Sequence, residues 1–214
     1  MSDEGLEILD REIAYQGFFR VDRYRLRHRL YGGGWSAELT REVFERGRAV
    51  GLLLYDPRRD AVVLVEQFRL AAHLAGFSAR QLEIVAGIVD HAGEAETAVA
   101  RREAQEEAGL VVEGELVPIH RFLTSPGGTT ETVALFCGRV DASRAGGIHG
   151  LADEHEDIKV VVKPYAEIQR LRRAGAIDNA FTLIALYWLA ANRARLRRLW
   201  PAARRSVRPS AGSE

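Results

Sequence analysis

The sequence of 214 residues lacks several features that would assign it to a special class of protein. Its one cysteine, Cys137, cannot form a disulfide within the chain and stands in an apolar run, which predicts a buried side chain. Thirty basic residues balance thirty acidic ones, so no overall positive charge favours nucleic acid. No apolar run reaches the roughly 18 residues of a membrane span, and the acidic start resembles no targeting signal. We therefore expect a cytoplasmic globular protein without nucleic-acid or membrane partners.

The segment 17–47 is predicted to form a β-hairpin. Apolar and polar residues alternate on both sides of a turn at Gly32, Gly33 and Gly34. A sheet of this size is marginally stable alone, so it must pack on the main domain or on a second subunit. We therefore assign residues 1–47 to an amino-terminal β arm that mediates dimerisation.

Residues 48–200 are predicted to form one α/β domain with a mixed sheet. Apolar strands are expected at 50–55 and 61–65, then at 82–86, 115–122, 131–140 and 157–162. A helix is expected from Glu94 to Ala108, ended by Gly109, and a last helix should be capped by Asp178 or Asn179. Residues 201–214 lack periodicity and are predicted to be a disordered tail.

Three carboxylates on the first of these helices are spaced to meet on one face. Glu103 and Glu107 are one turn apart, and Glu106 lies beside both. Like charges this close destabilise a helix unless water screens them or a cation binds between them. Oxygen ligands favour Mg²⁺, with Mn²⁺ as a substitute. The spacing alone leaves a solvated acidic face and a metal site equally open.

The full stretch from Gly87 to Leu110 resembles the Nudix box. The match is complete from Glu94 onward apart from Ala104 in an aliphatic place, whereas six residues rather than five separate Gly87 from Glu94. The resemblance implies an α/β/α sandwich with a mixed sheet. It also implies that Glu103, Glu107 and the backbone carbonyl of Ala86 hold the metal against a diphosphate, with help from Glu106. Arg102 would orient the glutamates.

Further motifs outside the box are similar to those of the bacterial ADP-ribose pyrophosphatases. They lie at 44–47, 66–69, 125–129, 150–157 and 177–180, and the resemblance covers roughly residues 17–195. This family implies a homodimer that exchanges its amino-terminal sheet and hydrolyses ADP-ribose to AMP and ribose 5-phosphate. The acidic loop would supply Glu154 as general base and Glu156 as a further metal ligand. Predicted substrate contacts are Phe19, Arg46, Arg69, Gly127 and Gly128.

Several alternatives remain open at this point. Without the box, the acidic loop would be interpreted as an exposed turn, and Arg46 and Arg69 as surface ion pairs. Phe19 could equally pack in the core. The box does not specify the base or the sugar, so another nucleotide sugar such as GDP-mannose is an alternative substrate. A Nudix-like sensor that binds ADP-ribose without cleaving it is a third possibility, although all box carboxylates are present.

Overall fold

A computed structural model of the chain describes residues 5–91 and 93–201. The predicted tail at 201–214 therefore lies outside the described residues apart from Pro201. Two short 3-10 helices, Ala142–Arg144 and Ala152–Glu154, occur among the described residues. The α-helices are α1 (Leu70–Leu74), α2 (Glu96–Ala108), α3 (Tyr165–Arg173) and α4 (Ala180–Leu199). The strands are β1 (Leu6–Gln16), β2 (Arg20–His28), β3 (Leu39–Glu45), β4 (Arg48–Asp56), β5 (Ala61–Phe68), β6 (Arg80–Glu83), β7 (Val85–Ile88), β8 (Glu113–Leu123), β9 (Thr132–Arg139), β10 (Ile148–His149) and β11 (Ile158–Pro164).

The larger of two sheets is a mixed sheet of eight strands. Its strand order is β10-β11-β5-β4-β9-β8, with β6 paired to β5 and β7 paired to β4. β4 and β9 run parallel, while the other pairs are antiparallel. β4 is central because apolar residues fill both of its faces, as expected of a strand covered on both sides. The predicted mixed sheet is confirmed.

Helices cover both faces of this sheet. Successive side chains of a strand point to opposite faces. Accordingly, Leu52 and Leu54 of β4 pack in the apolar cluster that contains α2, whereas Leu53 and Tyr55 pack in the cluster that contains α4. The small side chains of α2 allow close contact with the sheet, and Ala104 is fully buried. The predicted α/β/α sandwich is confirmed.

The smaller sheet differs from the predicted hairpin by one strand. β2 and β3 pair as expected, but β1 adds a third antiparallel strand along β2. Its register with β2 shifts between Ile8 and Asp10 and again between Ile13 and Tyr15. Each irregularity interrupts the alternation of apolar and polar residues, so the periodic pattern that identifies strands is missing from this segment of the sequence.

The apolar segment 82–86 was predicted as one strand, but the structure divides it between the last residues of β6 and the first residues of β7. β6 pairs with β5 and β7 pairs with β4, and the chain changes partner at Ile84. The Ile84 N–H donates to the Thr182 hydroxyl at 3.0 Å instead of to a neighbouring strand. A hydrogen bond between residues this far apart in sequence could not be inferred from local pattern. The helix predicted from Glu94 begins two residues later, at Glu96.

The last helix is capped as predicted and is anchored at its other end by an arginine. The side chain of Asn179 accepts from the Thr182 N–H at 3.0 Å. Arg193 donates to the Asp60 carboxylate and lies over the Tyr165 ring, 4.5 Å from its centre. Arg193 therefore contributes to the packing of α4 on the sheet. Among the described helices, none has the length and apolar character needed to cross a membrane.

Candidate active site

Two carboxylates of α2, those of Glu103 and Glu107, lie against the backbone of β7. Glu107 is 4% exposed, and one of its oxygens accepts from the Ala86 N–H at 3.2 Å. Burial raises the pKa of Glu107 to about 8; the Ala86 hydrogen bond opposes this shift, and the negative charges of Glu103 and Glu156 add to it. A buried carboxylate beside two others is the environment that a divalent cation would stabilise. The donor set fits Mg²⁺, which prefers oxygen ligands.

Gly87 allows Glu103 to reach this position. A Cβ atom at residue 87 would overlap the carboxylate of Glu103. The first glycine of the box therefore lacks a side chain for a steric reason, since the backbone of β7 and the α2 carboxylate lie in direct contact. The structure brings Glu103 and Glu107 to one face of α2, as their spacing predicted, and places them against Ala86 and Gly87, which the resemblance to the Nudix box implied.

Arg102 lies among the outer carboxylates of the same helix. Its Nη1 is 2.9 Å from Glu103 Oε1 and 2.9 Å from Glu106 Oε2, and its Nε is 3.9 Å from Glu94. The Arg102 guanidinium therefore partly neutralises the acidic face and restrains two of its side chains. Arg102 thus holds Glu103 and Glu106, whereas Glu107 is the buried member of the three.

The acidic loop packs against the carboxyl-terminal half of α2. The Gly150 N–H donates to the Glu106 carbonyl at 3.2 Å, and the Leu151 N–H donates to Glu156 Oε2 at 3.1 Å. Gly150 has φ +103° and its hydrogen atoms face Glu156, where a Cβ would come within 2.6 Å of the Glu156 Cβ. Glycine is needed here for both reasons. The backbone of Glu154 lies in the 3-10 helix Ala152–Glu154, and its side chain is outside the described part of the structure.

A cleft of about 250 Å³ opens between this loop and the end of β5. Its lining includes Arg69 and Glu156 and is completed by Gln67, Phe68, His155 and Asp157. The Arg69 charge also acts on Glu107, whose pKa it lowers. Arg69 and the carboxylate of Glu156 thus line one cleft, an arrangement suited to binding a metal and an anionic oxygen side by side. A larger cleft of about 530 Å³ near Leu110 contains none of the predicted site residues.

Sequence analysis missed the carboxylate that holds Arg69. Glu83 is buried, and its Oε2 accepts from Arg69 Nε at 3.0 Å and from Gln67 Nε2 at 3.1 Å. Its Oε1 accepts from Asn179 Nδ2 at 2.8 Å. The only local signal was a glutamate within the apolar run at 82–86, because its three donors come from distant parts of the chain.

The other predicted substrate contacts lie where the two sheets meet. The Phe44 N–H donates to the Gly128 carbonyl at 2.8 Å, which ties the loop 125–129 to β3. Phe19 packs edge-to-face on Phe44, and the Arg46 guanidinium lies 5.0 Å from the Phe19 ring centre. Gly127 is in the same loop and is exposed. Phe19 is 42% exposed, so the structure places it at the surface rather than in the core.

We call Phe19, Phe44, Arg46 and Gly128 the junction cluster, and Glu103, Glu106 and Glu107 the acidic cluster. The start of β4 connects the two clusters. The Val89 N–H, at the end of β7, donates to the Arg48 carbonyl at 2.9 Å. Arg46, two residues before Arg48, donates through Nε to Glu131 at 3.2 Å. The structure thus gathers the predicted residues into two neighbouring groups, one with the α2 carboxylates and one with Phe19 and Arg46.

The loop with the extra residue brings a histidine near two carboxylates. Ligand atoms of Asp90, His91 and Glu94 lie within 4.8 Å of one another. Sequence analysis gave no histidine a ligand role, and spacing offered no signal for this one. The Asp90 and His91 side chains are exposed, and Ala92 lies outside the described residues, so we assign no site here.

An α/β/α sandwich in which a strand with Gly87 leads to a helix of clustered glutamates is suited to diphosphate hydrolysis, and comparison with known proteins identifies the family. The NUDIX domain profile matches residues 45–183. The chain belongs to the Nudix family. It is 50% identical over 195 residues to the ADP-ribose pyrophosphatase of Escherichia coli strain K12, covering 91% of this chain and 92% of that protein.

Two further relatives bear on specificity. The ADP-ribose pyrophosphatase of Haemophilus influenzae is 42% identical over 202 residues, which span 93% of this chain and 92% of that protein. The GDP-mannose pyrophosphatase of an Enterobacter strain is 37% identical over 151 residues, 70% of this chain and 76% of that protein. The crystal structure of an ADP compounds hydrolase superposes on this structure with a TM-score of 0.70, covering 92% of this chain and 99% of the hydrolase chain. At 19% identity, it supports the fold alone.

Proposed function

We propose that the protein is a Mg²⁺-dependent hydrolase that cleaves the diphosphate of ADP-ribose to AMP and ribose 5-phosphate. The observation that carries this proposal is the convergence of Glu103, Glu107 and Glu156 beside the Arg69 guanidinium. These carboxylates come from two separate segments, and a bound cation would relieve their mutual repulsion. Mn²⁺, which has similar ligand preferences, is expected to substitute for Mg²⁺.

Each predicted residue has a role in this proposal. The Ala86 carbonyl, Glu103, Glu107 and Glu156 would hold the metal. When bound, the metal supplies positive charge to the diphosphate and makes water a better nucleophile. Glu154 would accept a proton from the attacking water, since a carboxylate can take the proton of a water whose own pKa a metal has lowered.

The remaining groups of the acidic site would assist these residues. Glu106 would accept hydrogen bonds from water around the metal, and Arg102, bound to both Glu103 and Glu106, would keep the carboxylates oriented. Arg69 would bind a diphosphate oxygen pair, because a guanidinium presents a planar fork of donors.

The junction cluster would bind the rest of the nucleotide sugar. Phe19 is half-exposed and already packs with Phe44 and Arg46, so its free surface is available for stacking a base. Arg46 would contact phosphate or ribose. Gly127 and Gly128 would bring backbone amides close to the substrate, since neither carries a side chain in the way.

ADP-ribose hydrolysis is the first expected result. The protein should convert ADP-ribose to AMP and ribose 5-phosphate in Mg²⁺ and should stop in EDTA, because the carboxylates cannot neutralise a diphosphate alone. Initial rates are measured with a panel of nucleotide sugars, dinucleotides and nucleoside triphosphates. Undiminished turnover in EDTA would contradict metal dependence.

The same panel separates the alternatives. If GDP-mannose reacted faster than ADP-ribose by more than about tenfold, roughly 1.4 kcal/mol in transition-state preference, it would replace ADP-ribose as the proposed substrate. If ADP-ribose bound in Mg²⁺ without being cleaved, the protein would be a sensor. The longer match to the ADP-ribose pyrophosphatases favours ADP-ribose over GDP-mannose.

We further propose that residues 1–47 form a dimerisation arm exchanged between subunits, beside the catalytic domain at 48–200. β1 is an edge strand of its sheet, with an outer edge of 11 residues that could pair with another chain. The exposed apolar side chains on β1 and the turn after it, each more than half exposed, are Leu6, Ile8, Ile13, Tyr15 and Phe18. An apolar surface of this kind is typical of an interface.

A homodimer is the second expected result, and light scattering at assay concentration measures it. Ile13→Glu should weaken the dimer by placing a charge in the apolar surface, and activity should fall with it because the partner would contribute Phe19. Val111→Glu is the matched control, since Val111 is 76% exposed outside the arm. A stable, fully active wild-type monomer would contradict the proposal.

The cytoplasmic location stays a prediction, which cell fractionation tests.

A further inference from the structure

Arg69 is anchored on one edge of its guanidinium and open on the other. Nε donates to Glu83, whereas no hydrogen bond from its two terminal nitrogens is found among residues 5–91 and 93–201, with the side chain of Glu154 left out of this comparison. The Glu83 side chain is 7% exposed and the Arg69 side chain 46% exposed. The ion pair therefore joins a buried carboxylate to a cation at the cleft, with the terminal nitrogens still available to an anion.

Glu83 is itself held on both oxygens. Gln67 and Arg69 occupy Oε2, while Asn179 occupies Oε1. An unsatisfied buried carboxylate would be costly, so these donors determine where it lies. Because Arg69 follows Gln67 by two residues, both side chains lie on the Glu83 side of the strand end.

Asn179 connects this network to the start of α4. Its Oδ1 accepts from the Thr182 N–H and hydroxyl, each at 3.0 Å, while its Nδ2 donates to Glu83. The two ends of one amide thus perform different tasks. One end caps the helix, and the other end holds the carboxylate that anchors Arg69.

We propose that Glu83 and Asn179 are positioning residues that fix the Arg69 guanidinium for a diphosphate in the cleft. The inference rests on the proposed function, because it takes Arg69 to bind the diphosphate. Neither residue touches the substrate in this proposal. Each acts through Arg69 by reducing the orientations that its long side chain can adopt before substrate binds.

Asn179→Asp separates the two tasks of Asn179. Aspartate is as good a helix cap as asparagine, so α4 should remain capped. Its second oxygen would, however, face Glu83 in place of a donor, and the two carboxylates would repel. We expect KM for ADP-ribose to rise on the order of tenfold with kcat within about threefold of wild type. Asn179→Ser, which retains a cap but removes the donor without adding charge, should give a smaller rise.

Thr182→Val is the structural control. It removes the hydroxyl that bridges α4 and Ile84 but leaves the Glu83 contacts in place. Thermal denaturation should show lower stability for this variant with an unchanged KM. The control shows whether loosening the start of α4 is by itself enough to weaken substrate binding.

A double-mutant cycle with Arg69→Ala decides the question. If Asn179 acts through Arg69, Asn179→Asp should raise KM in the wild-type background and leave it unchanged in Arg69→Ala. An equal fold-change in both backgrounds would overturn the inference, as would an unchanged KM in both Asn179 variants or a KM rise in Thr182→Val.

The same double-mutant cycle can be measured without turnover, by calorimetric titration of each variant with ADP-ribose in EDTA. A wild-type protein that binds ADP-ribose in EDTA but does not cleave it in Mg²⁺ contradicts the proposed function alone, since the binding cycle still tests the anchoring of Arg69. A protein that neither binds nor cleaves ADP-ribose contradicts both proposals.

Discussion

Glu154→Gln is expected to lower kcat on the order of 10²–10⁴-fold, which is the usual scale for the loss of a general base. Glutamine retains the shape of the side chain and removes its charge and basicity. Because Glu154 is proposed to take a proton rather than to hold metal, half-saturating Mg²⁺ and KM for ADP-ribose should stay near the wild-type values. Steady-state rates measured against both substrate and Mg²⁺ give all three quantities.

Asp153→Asn is the matched control for this variant. Asp153 lies in the same 3-10 helix, is exposed, and has no proposed role, so its loss of charge should leave kcat close to wild type. If Glu154→Gln retained near-full kcat, the base would be another residue, and Glu106 or Glu156 would be tested next. If both loop variants lost activity equally, the effect would belong to the charge of the loop as a whole.

Glu107→Gln is expected to abolish most turnover at ordinary Mg²⁺ concentrations and to recover part of it when Mg²⁺ or Mn²⁺ is raised. Glu107 is buried against the Ala86 N–H, so an amide would fit the space but bring no charge to the metal. Half-saturating Mg²⁺ should rise by more than the roughly 10–100-fold typical of residues that only support a metal ligand. Glu156→Gln should behave in the same way.

Direct metal binding provides a check that is independent of turnover. Titration with Mn²⁺, followed by its paramagnetic signal, should show weaker binding to Glu107→Gln and unchanged binding to Glu96→Gln. Glu96 lies in the first turn of the same helix and pairs with Arg121, so it controls for loss of an α2 carboxylate. Equal Mn²⁺ affinity in Glu107→Gln and wild type would show that Glu107 is not a ligand.

The local part of the site could be predicted from the sequence. Glu103 and Glu107 are one helical turn apart, and helix geometry brings them together wherever the helix lies. The cap at Asn179 and the helix end at Gly109 depend equally on near neighbours and were also predicted correctly. The central strands were identified because residues buried on both faces form continuous apolar runs.

Long-range pairing could not be predicted in the same way. The β1 strand was missed because two register shifts break its alternation, and the single strand expected at 82–86 is divided because Ile84 binds Thr182 from another element. The anchoring of Arg69 by Glu83 and Asn179 joins β5, β6 and α4. No local spacing encodes such contacts.

The sequence by itself indicated the class of chemistry through its match to the whole Nudix box, and the acidic residues of that box share a helix face because their spacing follows the helical repeat. Tertiary structure decided which acidic residues lie together. The charge of Glu156 raises the pKa of Glu107, because the loop before β11 packs on α2 through the hydrogen bond from Gly150 to the Glu106 carbonyl. Arg69 reaches the same cleft because it follows β5 and is held by Glu83. Both positions depend on sheet order and burial, which arise only when distant segments pack together.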